Sequence, residues 1–167
     1  KHLNDEWRHC QREEKSISII MLDIDYFKNY NDTYGHQQGD ICLNTISQLI
    51  NNSDIANRPG DMVARYGGEE FIVLLVDASQ GYASAIANKI HSSITELKMQ
   101  HTATDIPNYK YVSVSIGYAT EDNARNTNTG ELIKKADEAL YKAKEKGRNQ
   151  VCSYSSIHNL KLHKIHG

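Results

Sequence analysis

The sequence predicts an α/β fold of the α+β type, a central, mainly antiparallel five-stranded sheet surrounded by helices. Three observations predict it. Ser16 to Asp25 is apolar on both faces, Ile17, Ile19 and Met21 alternating with Ile20, Leu22 and Ile24; a central strand covered on each side has that pattern. Two strand-like runs, Met62 to Tyr66 and Phe71 to Val76, are separated by Gly67-Gly68-Glu69-Glu70, a hairpin signal because glycine accepts positive φ. Helical stripes separate the remaining strands, so helices pack on the sheet.

Leu3, Trp7 and Cys10 fall at helical spacing and predict a short amphipathic helix through Gln11. The strand Ser16 to Asp25 follows, and Asp23 and Asp25 share one face at its end because side chains repeat every two residues. Tyr26 to Asp40 reads as a polar, aromatic stretch punctuated by Gly35 and Gly39. Cys42, Leu43, Ile46, Leu49 and Ile50 mark a helix over Ile41 to Ile50. A loop with Arg58-Pro59-Gly60 leads into the hairpin. Ala83, Ile86, Ala87, Ile90, Ile94 and Leu97 mark a long helix, Tyr111 to Ala119 a strand, and Leu132, Ile133, Ala136, Ala139, Leu140 and Ala143 a last helix stopped at Gly147. Val151 to Tyr154 adds an edge strand.

The chain has 167 residues, the length of one domain, and is 39% hydrophobic and 24% charged, an ordinary globular mixture. A net charge of −2 argues against a DNA- or RNA-binding face. No apolar run reaches the roughly 18 residues that cross a bilayer, so no membrane contact is expected from this segment. Lys1 to Lys15 is polar and carries no secretory leader. Cys10, Cys42 and Cys152 have no metal-ligand spacing and read as reduced thiols, hence a cytoplasmic setting.

Three segments concentrate chemistry. Asp23-Ile24-Asp25 ends a buried strand, where carboxylates suit a hard cation such as magnesium; a solvated strand end or a helix cap at Asp25 would use the same residues. In Gly67-Gly68-Glu69-Glu70-Phe71 the glycines admit a ligand close to the backbone, and the adjacent glutamates point to opposite faces; a charged hairpin tip protecting an edge is the alternative. Lys144 and Arg148 flank the end of the last helix, favoured there by its dipole and suited to clamp phosphate.

Together, LDIDYFKNYNDTYGHQQGD, RYGGEEF and ADEALYKAKEKGRNQ resemble, in order and spacing, the GGDEF family of diguanylate cyclases, from about Ser16 to Val151. The resemblance implies a fold similar to the polymerase palm and to adenylyl cyclase catalytic domains. It implies condensation of two GTP molecules into cyclic di-GMP with magnesium or manganese, two ions per active site. On it, Asp23, Glu69 and Glu70 are the catalytic carboxylates, and the metals are held by Asp23, the Ile24 carbonyl, Glu69 and Glu70. Phe27 and Lys28 lie in a turn whose N–H groups cradle phosphates that Lys144 and Arg148 neutralise. Asn31 and Asp40 read guanine, whose N1–H and N2 donors a carboxylate accepts and adenine lacks; by themselves they read as a turn residue and an N-cap.

Arg58-Pro59-Gly60-Asp61 fits the family's RxxD inhibitory site, where Arg58 and Asp61 would hold the cyclic di-GMP product; a turn capped by a salt bridge has the same sequence. One GTP per domain implies a homodimer as the active species. Glu69 stands where the family name has aspartate, and Tyr26 and Tyr30 read as substitutions without consequence. The family's opening Asp-x-Leu-Thr-Gly-Leu…Asn-Arg-Arg run is absent, so the expectation is a domain over 1–155, trimmed at its N-terminal edge, from a larger protein whose attachment to a membrane this segment leaves open. A polar tail over 156–167 carries His158, His163 and His166 as exposed residues.

Overall fold

The computed structural model describes residues 2–52 and 55–157. The elements run α1 (His2–Arg12), β1 (Ile17–Ile24), α2 (Phe27–Tyr34), α3 (His36–Asn52), β2 (Met62–Arg65), β3 (Glu70–Val76), α4 (Gln80–Glu96), β4 (Val114–Glu121), α5 (Thr129–Glu145) and β5 (Val151–Ser153). The sheet order is β2-β3-β1-β4-β5. Every pairing is antiparallel except β4 with β5, which is parallel. The α+β sheet with helices on it is therefore the fold the patterning predicts.

β1 is central and buried along its whole length, and its alternation divides the core. Ile20, Leu22 and Ile24 join Phe27, Tyr30, Ile46, Ile86 and Ile90 under α2, α3 and α4. Ile17, Ile19 and Met21 join Trp7, Cys10, Leu132, Ala136 and Leu140 under α1 and α5. Each such side chain contributes about 1.5–3 kcal/mol on burial, so two aspartates at the end of this strand require specific partners.

α5 lies directly on β4, and Gly117 makes that possible. A Cβ there would stand 2.0 Å from the Leu140 amide nitrogen and 2.4 Å from the Ala136 carbonyl oxygen. Neither backbone atom can move aside without displacing the helix, so this glycine fixes where the C-terminal end of α5 arrives over β1.

Four local expectations are corrected. Tyr26 to Asp40 is helical, as α2 and α3 joined at Gly35, which has φ 87; the packing of Phe27, Tyr30 and Cys42 against β1 outweighs the polar composition. α3 starts at His36, so Asp40 sits inside the helix rather than capping it. The position before α2 is Tyr26, left-handed at φ 53 and without a side-chain cap, so Asp25 is no N-cap. The strand expected from Tyr111 begins at Val114 and extends to Glu121; Tyr111 makes an isolated bridge to Gln100 instead.

Cys10, Cys42 and Cys152 are buried and unpaired. A helical turn over 154–157 follows β5 and buries Ile157. His158, His163 and His166 lie outside the described residues. No described helix is long and apolar enough to cross a membrane.

Candidate active site

Four element ends meet at one corner: the C-terminal end of β1, the start of β3, the N terminus of α2 and the C terminus of α5. Asp23 lies directly opposite Glu70 in the β1–β3 register. The Ile24 amide donates to the Glu69 carbonyl at 3.3 Å, which makes Asp23–Glu70 a non-hydrogen-bonded pair, the kind whose side chains come closest. By alternation both carboxylates belong to the face that carries Ile17, Ile19, Met21, Ile72 and Leu74. Like charges placed this way repel.

The hairpin tip is shaped around Glu70. Neither Gly67 nor Gly68 has a positive φ, so conformational freedom is not why they are glycines. At Gly67 the reason is space, since a Cβ would lie 2.6 Å from Glu70 Oε2. At Gly68 the space is open, leaving the backbone approachable. Arg65 braces the tip from inside the hairpin, donating through Nε to the carbonyls of Gly67 at 3.2 Å and Gly68 at 3.0 Å.

The positive charge at this corner comes from α5. Lys144 Nζ donates to Asp23 Oδ2 at 3.0 Å. The Asp23 carboxyl is nevertheless pushed up to about 6, because burial disfavours its charge and the charges of Glu69 and Glu70 add to that, while Lys144 opposes both. Among the described residues Lys144 is the cation that pairs with one of these three carboxylates, while Arg65 and Arg148 are engaged by glycine carbonyls and by Tyr26. Among the described residues no three His, Cys, Asp or Glu side chains are drawn together tightly enough to hold a metal unaided. Asp23, Glu70 and the Ile24 carbonyl are nonetheless the hard oxygen donors that magnesium or manganese prefers, and such ions complete their shells with water and phosphate oxygens. The donor set fits such an ion.

Phe27 and Lys28 occupy the first turn of α2 rather than a loop. Their N–H groups have no intrahelical acceptor, so the helix start favours an anion. α5 ends in a Schellman motif: Gly147 at φ 111 donates to Lys144, and Arg148 donates back to Ala143 at 3.0 Å. Arg148 and Asn149 continue in left-handed backbone at φ 67 and φ 48. That turn sends Arg148 across to Tyr26, with its guanidinium carbon 4.5 Å from the ring centroid and Nη1 3.2 Å from the phenol oxygen.

Asp25 behaves unlike Asp23. It is 1% exposed and accepts from Ser113 Oγ at 2.7 Å, Ser115 Oγ at 2.6 Å and the Asn149 amide at 3.0 Å. It ties the turn after β1 to β4 and to the chain leaving α5. His101, fully buried, donates through Nε2 to the Tyr26 carbonyl, 3.1 Å away, and meets the Tyr30 ring edge-on. Burial holds its pKa below the usual histidine range, against the opposing pull of the Tyr26 and Asp25 carbonyls and of the Asp105 and Asp25 charges.

Asn31, on α2, packs against α3. Its Oδ1 is buried and has no hydrogen-bond partner, and a Cβ at Gly39 would stand 1.8 Å from it. Gly39 thus makes room for an amide oxygen that is left wanting a donor. Asp40, one residue on, is exposed on α3.

Arg58 and Asp61 lie at the other end of the hairpin, in the capped turn that the sequence allowed. Asp61 Oδ1 accepts from the Val76 amide at 2.9 Å, and Oδ2 from the Arg58 amide at 3.2 Å and Arg58 Nε at 3.5 Å. Its side chain is 0% exposed, that of Arg58 35%. The Arg58 guanidinium donates to the Val76 carbonyl at 2.8 Å and stacks 4.0 Å from the Tyr82 ring centroid. A cavity of about 520 Å³ opens beside it, lined by Glu6, His9, Lys15, Arg58, Gly60 and Asp77 among others.

Sequence reasoning missed Arg65, His101, Gly117 and the part played by Tyr26. Arg65 stands within the RYGGEEF segment and was legible by proximity; the others carry no local signal.

The chain's residues 1–150 match the family model described as diguanylate cyclase, GGDEF domain. Diguanylate cyclase A of Treponema denticola is 40% identical over 139 residues, 83% of this chain and 35% of that protein. The GGDEF domain of DgcB from Caulobacter crescentus, solved in complex with c-di-GMP, superposes with a TM-score of 0.79 at 28% identity, covering 92% of this chain and 86% of that one. The active GGEEF domain of a Vibrio cholerae diguanylate cyclase gives 0.75 at 29% identity, with 90% of each chain covered. The chain spans about a third of the length of the curated relatives it matches.

Proposed function

The chain belongs to the GGDEF family of diguanylate cyclase domains, and on that premise we propose that it condenses two GTP molecules into cyclic di-GMP, releasing two pyrophosphates. The observation that carries the reading is the Asp23–Glu70 pair, two carboxylates held face to face beside Lys144 and the open start of α2. A structural role would have neutralised them. Here Asp23 has Lys144, and Glu70 has no ion pair among the described residues.

Guanine is received by Asn31 and Asp40: the partnerless Asn31 Oδ1 accepts from the base, and the Asp40 carboxylate takes the remaining donor that adenine lacks. The α2 amides of Phe27 and Lys28 cradle the β and γ phosphates, and Lys144 and Arg148 neutralise them. Asp23, the Ile24 carbonyl, Glu69 and Glu70 would hold two magnesium or manganese ions, which would supply charge stabilisation for the attacking and leaving oxygens. Glu69, whose charge acts on Asp23 beside that of Glu70, assists removal of the 3′-hydroxyl proton. Attack of that oxygen on the α-phosphorus of the facing GTP breaks the bond to pyrophosphate, and a second such step closes the ring. Each domain brings one GTP, so two copies face each other in the active species.

The Arg58 turn is the product-inhibition site in this reading, with a division of labour. The partly exposed Arg58 faces the ligand, and the buried Asp61 fixes the turn that presents it.

The test is incubation at high protein concentration with GTP and magnesium, followed by chromatography of the nucleotides. Cyclic di-GMP is expected, at least about 10²-fold less of it with Glu70→Ala and more accumulated with Arg58→Ala. No product from this chain, alone and fused to a dimerising coiled coil, would overturn the cyclase reading and leave a nucleotide receptor.

A further inference from the structure

We propose that Tyr26 is a positioning residue for nucleotide binding, which holds Arg148 beside the N terminus of α2 where the terminal phosphates of the substrate sit. The inference rests on the reading of Arg148 as a phosphate clamp. Tyr26 read from sequence as an inconsequential substitution, and its geometry says otherwise. The guanidinium carbon of Arg148 lies 4.5 Å from the Tyr26 ring centroid, and Nη1 donates to the phenol oxygen at 3.2 Å. These two contacts fix both the tilt and the reach of the fork.

The support is itself rigid. Tyr26 is left-handed at φ 53, and its carbonyl accepts from the Tyr30 amide at 3.1 Å and lies 3.1 Å from buried His101 Nε2. Arg148 leaves α5 from a left-handed residue of its own, in the turn anchored by the Asn149 amide on Asp25. Both ends of the contact are therefore tied to the same strand end. A guanidinium on a mobile stem gives up rotamer freedom when it captures a phosphate. Stacked on a fixed ring, it has given up much of that freedom already, and stacking leaves its in-plane N–H groups available for bidentate contact.

The experiment compares binding of guanosine 5′-[α,β-methylene]triphosphate, which cannot release pyrophosphate, with binding of GMP, by calorimetry in magnesium. Arg148→Ala is expected to reduce the preference for the triphosphate about tenfold, Tyr26→Asn about fivefold and Tyr26→Phe about twofold, with GMP affinity unchanged. In the Arg148→Ala background Tyr26→Asn should have no further effect. Asparagine tolerates left-handed backbone, and Tyr26→Gly is the second variant; whichever folds by circular dichroism decides. A Tyr26 variant that keeps the full preference, or loses triphosphate and GMP affinity in parallel, overturns the positioning role. An Arg148→Ala protein that keeps the preference overturns the clamp reading beneath it.

Discussion

The tip and the open end of the β2–β3 hairpin each set acidic side chains beside an arginine, and they satisfy them in opposite ways. At the open end Asp61 is buried with both oxygens engaged by Val76 and Arg58. At the tip Lys144 pairs with Asp23, while Arg65 is used on glycine carbonyls and Glu69 and Glu70 have no ion pair among the described residues. Asp23 and Asp25 repeat the contrast two residues apart. A carboxylate with both oxygens answered by its own chain holds the fold together. One left partly unanswered in a buried corner is held ready for something that arrives later.

Removing Asp61 tests the closed side of the contrast most severely. Asp61→Ala strands two backbone amides and should cost about 3 kcal/mol in denaturant unfolding; a loss under about 1 kcal/mol would mean the turn does not depend on it. Next is Gly117→Ala, expected to cost about 2 kcal/mol through forced separation of α5 from β4. It should also weaken GTP binding, because Lys144 rides on that helix. Glu70→Gln should have the opposite sign to Asp61→Ala. Relieving a like-charge pair is worth up to about 1 kcal/mol, so its melting temperature without metal should equal or exceed that of the parent while activity collapses. A marked drop in melting temperature would place Glu70 among the structural carboxylates.

The smallest effect is a pH slope at the buried turn. His101 has a folded pKa below its unfolded value, so the stability of the neutral form is fully present above about 6.5 and is lost as pH falls towards the folded pKa. His101→Gln should flatten unfolding free energy between pH 7 and 5. An unchanged slope would assign the acid sensitivity to other groups.

Much of this was legible in the chain. The double-faced apolar run of β1, the hairpin and the two long amphipathic helices set the fold class, because period and burial are local to the sequence. Asp23, Glu69, Glu70, Lys144 and Arg148 were legible as candidates because their motifs are compact. Helix α2 and the first turn of α3 were obscured by polar residues that face outward, and the helical state there is decided by packing against β1.

What the sequence by itself determined is the set of elements and the stock of charges, since both follow from residue type and spacing. Which charges are spent and which are held in reserve was decided only by the tertiary structure. Asp25 meets Ser113 and Ser115, Asp61 meets Val76, and Arg148 meets Tyr26, each across a long stretch of chain. Gly117 likewise looks like any other small residue in a strand until a helix backbone lies against it. Hydrogen bonding and close packing act between surfaces that chain folding brings together, and no local pattern records which surfaces those will be.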